Sequence, residues 1–168
     1  DKAYGGGKLT LSDVALQMST TWCGQKCYLG IISAATDAAN AEHEQVAYEL
    51  SSDRGNVMMP KIADLPAWAD DTSKNHSPFV FKANPKAKFL SVSRIINYYK
   101  YANGVTVAPD QVYFFDDLDE NVKSWRSSTP KYNAHQISCK SRDTSGQKNL
   151  GRCGGTAAEL LSLIHISE

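Results

Sequence analysis

Asp116 and Asp117 stand side by side after the apolar run Val112-Tyr-Phe-Phe115, and they are conspicuous as groups that could do chemistry. Adjacent carboxylates repel each other, and a divalent cation removes that cost. Mg²⁺ is usually held by one or two carboxylates together with water and substrate phosphate. Two other polar groups are placed in a similar way. Ser33 closes the apolar run Cys27-Tyr-Leu-Gly-Ile-Ile32, and Lys88 opens a strong helical pattern. A hydroxyl can donate to a phosphoryl oxygen, and a lysine supplies a compact positive charge. Asn121 follows Asp117 by four positions. Each group also has an ordinary explanation. The aspartates could cap the helix that begins near Asp119, Ser33 could bond to local backbone, and Lys88 could be a solvated surface lysine. Thr36 competes with Ser33, Lys82 and Lys86 compete with Lys88, and Asn121 is equally a first-turn helix residue.

The elements that must position these groups read as alternating strands and helices. Thr10-Leu-Ser-Asp13 is a capping-box variant ahead of a helical face formed by Leu11, Val14, Ala15 and Met18. Gly5-Gly-Gly7 before it reads as a loop. Cys27–Ile32 reads as a buried strand and Thr36–Leu50 as a helix. Residues 51–77 mix Gly, Pro, Asp, Ser and Asn, which predicts a long loop with one helical turn. Pro78–Phe81 is a strand. Phe89–Tyr101 is a helix, with Phe89, Val92, Ile96 and Tyr99 on one face and Asn103-Gly104 at its end. Gln111–Phe115 is a strand, Asp119–Trp125 a short helix, Ala134–Ile137 a weaker strand and Thr156–Ile164 a terminal helix. Such alternation implies βαβ units and a parallel sheet, which binds ligands beyond the carboxyl ends of its strands.

The order hydroxyl, lysine, paired acids resembles the second, third and fourth motifs of the haloacid dehalogenase (HAD) superfamily of phosphohydrolases, over about Tyr28 to Trp125. Val-Tyr-Phe-Phe-Asp-Asp-Leu-Asp-Glu-Asn-Val is its most specific part. The resemblance implies a three-layer α/β sandwich with a parallel, Rossmann-like sheet, as a single core domain over residues 1–160. It also implies Mg²⁺-dependent hydrolysis through a phosphoaspartate, with a phosphorylated substrate. Asp117 would be a direct metal ligand, and Asp116 would bind directly or through water. Ser33 would donate to a phosphoryl oxygen, Lys88 would offset charge on the nucleophile and phosphoryl group, and Asn121 would support the acidic pair. Mutual repulsion and partial burial would raise the apparent pKa of that pair. Receiver domains of two-component signalling use similar groups, but there the acidic pair comes first in the sequence.

The family's first motif, Asp-x-Asp-x-Thr/Val after an apolar strand, is not found. Asp70-Asp71-Thr72 follows Pro66-Ala-Trp-Ala, which reads as no strand. The expectation is an N-terminally truncated core that lacks its central nucleophile strand, is inactive, and either has a gap between the strands of Ser33 and Asp116 or pairs them directly in a non-family arrangement. The alternative is a non-catalytic HAD-like domain used for protein interaction. The stretch left between the second and third motifs is too short for a full cap domain. Residues 161–168 read equally as translated sequencing-adaptor sequence or as the end of an amphipathic helix, so they are a possible non-native tail.

Composition narrows the other classes. The 168 residues hold 42% hydrophobic and 21% charged residues, enough for a proper core. Lys plus Arg total 18 and Asp plus Glu total 18, so no basic excess points to nucleic acid. No apolar run has the length for a membrane span. Cys23, Cys27, Cys139 and Cys153 match no common zinc spacing, which predicts reduced, partly buried thiols in a cytoplasmic protein.

Overall fold

A computed structural model describes residues 26–34, 69–70, 74–84, 86–116 and 118–137. The predicted helices at Thr10–Met18, Thr36–Leu50 and Thr156–Ile164 lie outside these residues, as do Thr36, Asp117 and three of the four cysteines.

The described chain is α/β with short parallel strands. Its strands are β1 (Ile31–Ile32), β2 (Ala69–Asp70), β3 (Phe79–Phe81), β4 (Tyr113–Asp116) and β5 (Asn133–Gln136). A 3-10 turn over Lys88–Ser91 leads into helix α1 (Val92–Asn103), and helix α2 (Asp119–Arg126) follows β4. β3 is the middle strand of one sheet and runs parallel to both neighbours, with Ile31 opposite Phe79 and Ala69 opposite Val80. β4 and β5 form a second parallel pair, from Tyr113 opposite Asn133 to Asp116 opposite Gln136. Among the described residues, β1 and β4 each keep one edge without a strand partner.

β1 is shorter and less buried than the apolar run Cys27–Ile32 predicts: it covers two residues, both half-buried. The Leu29 carbonyl is taken by the Tyr99 hydroxyl of α1, so the ladder begins only where the Ile31 amide donates to the Pro78 carbonyl. Gly30 allows α1 to approach this closely, since a Cβ there would meet Ile95 Cδ1 at 2.6 Å. β2 falls inside the stretch read as a loop, so the reading of Pro66-Ala-Trp-Ala as leading to no strand is corrected at Ala69 and Asp70. Two residues are too few for a period-two pattern. The outer edge of β3 holds them, by satisfying their backbone groups.

α1 matches its predicted face. Val92 and Tyr99 are buried, and Phe89 and Ile96 pack against the core. The helix ends at Gly104, whose φ of 69° lets its amide donate to the Lys100 carbonyl. The core comprises Val92, Phe114, Val122, Trp125 and Ala134, with Ile32 of β1 packed against it. The two sheets therefore share apolar packing although, among the described residues, no ladder joins them. The rings of Phe114 and Trp125 stack with centroids 3.9 Å apart. Trp125→Ala is expected to cost about 3–5 kcal/mol, measured by urea unfolding. Trp125→Phe should cost much less, because the Trp125 indole N–H is buried without a hydrogen-bond partner. Equal losses would mean that the stacked ring is not what the core needs.

Cys27 is disulfide-bonded, which corrects the expectation of reduced thiols. Pairing depends on how closely two Cα atoms approach in space, and spacing in the sequence does not report that. Disulfides persist mainly in oxidising compartments, so the cysteines lend no support to a cytoplasmic setting. No helix among the described residues is long and apolar enough to cross a membrane.

Candidate active site

β4 brings Asp116 to the carboxyl end of its strand, and the 3-10 turn before α1 brings Lys88 to the same place. The Lys88 ammonium donates to Asp116 Oδ2 at 2.7 Å. Both side chains are largely withdrawn from water, at 13% and 5% exposure. The other carboxylate oxygen, Oδ1, accepts from the Asn121 side-chain amide at 2.9 Å and from the Leu118 backbone N–H at 2.8 Å. Asn121 is buried in the first turn of α2, so its place in the helix and its bond to Asp116 go together. Leu118, the N-cap residue, supplies no capping bond from its own side chain. Asp116 thus performs part of the local turn role that the capping reading would give it, while also holding Lys88.

The charge state of Asp116 is the reverse of the expected one. Burial alone would raise its pKa. Hydrogen bonds from Lys88, Asn121 and the Leu118 amide, with the Lys88 charge beside it, outweigh burial and hold the carboxyl below the usual range. The expectation of a raised pKa considered the neighbouring acid and left out these donors.

Lys88 is distinguished from its rivals by contact. Lys86 is exposed; its amide donates to Asn84 Oδ1 and its carbonyl accepts from the Ser124 hydroxyl. Lys82 is exposed, and its ammonium lies 5.4 Å from the Phe81 ring centroid. Ser33 follows β1 directly. Its amide donates to the Val80 carbonyl at 2.8 Å, and its carbonyl accepts from the Ala83 amide at 3.0 Å. These bonds fix Ser33 at the carboxyl end of the β1–β3 pair. The chain leaves that end of β3, reaches Lys88, descends through α1 and returns in β4 to Asp116. Ser33 and Asp116 each stand at the carboxyl end of a parallel strand pair, and Lys88 is bonded to Asp116. The bonded constellation is Lys88, Asp116 and Asn121, and the backbone bonds of Ser33 place it after β1.

Among the described residues, no three His, Cys, Asp or Glu side chains gather as a metal site. Mg²⁺ needs only one or two carboxylates besides water and phosphate, so an acidic pair at a strand end fits it. Both Asp116 oxygens already accept hydrogen bonds, and Asp117 lies outside the described residues. Sequence reasoning missed Ser124 and the Leu118 amide. Ser124 lies three positions after Asn121 on α2, a spacing that puts both on one helical face.

No known protein family matches the chain, and neither does any curated protein or solved structure.

Proposed function

We propose that the chain carries the phosphate- and Mg²⁺-handling half of a phosphohydrolase active site. Within that class we propose the HAD type, acting on a phosphorylated substrate through a phosphoaspartate. The observation that carries the reading is the 2.7 Å pair between a lysine at a helix start and an aspartate at a parallel strand end, with Asn121 closing the carboxylate's other side. In this reading Asp117 holds Mg²⁺, which would neutralise phosphoryl charge. Asp116 acts on Lys88: it fixes the ammonium in a site of low water access, where a positive charge acts strongly on a phosphoryl group. Ser33 donates its hydroxyl to a phosphoryl oxygen. The attacking aspartate has to come from a strand beside β1 and β4, and none of the described strands supplies it.

The test is divalent-cation binding, followed by Mn²⁺ paramagnetic resonance as a stand-in for Mg²⁺. The chain should bind Mn²⁺, and Asp117→Asn should weaken binding by about tenfold or more, the scale seen when groups supporting metal sites are removed. Mg²⁺ should displace the Mn²⁺. A chain that binds neither ion, or an Asp117→Asn variant that binds as well as the parent, would overturn the metal assignment.

A further inference from the structure

Lys88 reaches Asp116 through a long flexible side chain, and something must hold the backbone from which it starts. The segment joining β3 to the 3-10 turn has no regular structure of its own. It begins at Lys82, whose φ of 51° lies in the left-handed region that lysine rarely adopts. Within it, Asn84 accepts from the Lys86 amide through Oδ1 and from the Ala87 amide through its carbonyl. Ala87 then enters the 3-10 turn without any side-chain cap. Support from outside the segment comes at Ala83, whose amide donates to the Ser33 carbonyl, and, nearest to Lys88, from α2, where the Ser124 hydroxyl donates to the Lys86 carbonyl at 2.9 Å. One helical turn earlier on α2, Asn121 holds Asp116.

We propose that Ser124 is a positioning residue for Lys88. α2 then works as one platform that fixes both partners of the ion pair: Asn121 sets the carboxylate, and Ser124 sets the backbone two residues before the lysine. Ser124 touches neither partner, and the inference rests on Lys88 and Asp116 being the site residues argued above. Losing one such hydrogen bond reduces the population of the bonded arrangement by on the order of fivefold.

The experiment is lysine-ammonium NMR on the full 168-residue chain. The parent should show a slowly exchanging Lys88 ammonium signal with a coupling across the hydrogen bond to the Asp116 carboxyl carbon. Ser124→Ala should reduce that coupling at least about twofold, in line with the lost population. Ser124→Thr, which keeps the hydroxyl, should restore it. Ser127→Ala is the control, because Ser127 bonds only to the Lys123 and Ser124 carbonyls of its own helix. An undiminished coupling in Ser124→Ala, or an equal loss in Ser127→Ala, would overturn the role of Ser124 and leave the ion pair standing. Absence of the coupling in the parent would remove the ion pair itself and with it the proposed site.

Discussion

Asp116→Ala is expected to cost the folded chain about 3–5 kcal/mol, the scale for removing one partner of a buried ion pair. The loss is large because the Lys88 ammonium stays behind, only 13% exposed and without its counter-charge. Lys88→Met should cost less, since Asp116 keeps the bonds from Asn121 and the Leu118 amide. The double variant should be more stable than Asp116→Ala alone, because it leaves no unpaired charge. Urea unfolding of the four proteins forms a double-mutant cycle, and strictly additive losses would show that the pair is not coupled. The pH dependence has a fixed sign. The Asp116 carboxyl is depressed in the fold, so its stabilisation is complete above the ordinary aspartate value of about 3.9. It is lost as pH falls below that value toward the folded one. The Asp116→Ala variant should lack this acid-limb loss, and an unchanged acid limb would contradict the depressed pKa.

Placing a segment with an apolar strand followed by Asp-x-Asp ahead of the chain is expected to switch on hydrolysis of p-nitrophenyl phosphate in Mg²⁺. β1 and β4 each have an edge without a described partner, and both sheets run parallel. In the proposed reading a parallel strand between them would satisfy backbone groups on both sides and bring its carboxyl end toward Ser33, Lys88 and Asp116. The gain should be on the order of 10⁴-fold or more, as expected when a missing nucleophile is supplied. An Ala-x-Ala version should restore the pairing without the activity. If both versions hydrolyse equally, the phosphoaspartate reading fails. If neither does while Mn²⁺ still binds at Asp117, the arrangement of the strand is at fault and the metal assignment stands.

Much of this was legible in the sequence where a pattern is local. Phe89, Val92, Ile96 and Tyr99 repeat at helical spacing, and α1 buries that face. Four apolar residues followed by acids gave β4, although the strand runs one residue further and includes Asp116 itself. From the sequence, Lys88 is expected near Asp117 and Ser33; the contact the structure shows is with Asp116, 28 positions away, and Asp117 lies outside the described residues. What stayed hidden depends on neighbours distant in the chain. β2 exists because β3 pairs with it, and the Cys27 disulfide exists because two cysteines meet in space. The pKa of Asp116 falls because several donors converge on it; Asn121 is the one the sequence places beside the acidic pair, and the Leu118 amide is one it does not.

The absence of a described ladder between the two sheets has a mechanical consequence. A row of hydrogen bonds resists sliding along its length, whereas apolar side chains tolerate small shifts as long as they stay in contact. Among the described residues, the β1–β3–β2 sheet and the β4–β5 pair meet through apolar side chains, which makes their boundary the softer one. The polar groups divide unequally across it. Ser33 rides with β3, while Lys88, Asp116, Asn121 and Ser124 are bonded to one another or to adjoining backbone on the other side. A shear along that boundary would move the β1–β3 pair, and Ser33 with it, relative to the bonded Lys88–Asp116 pair.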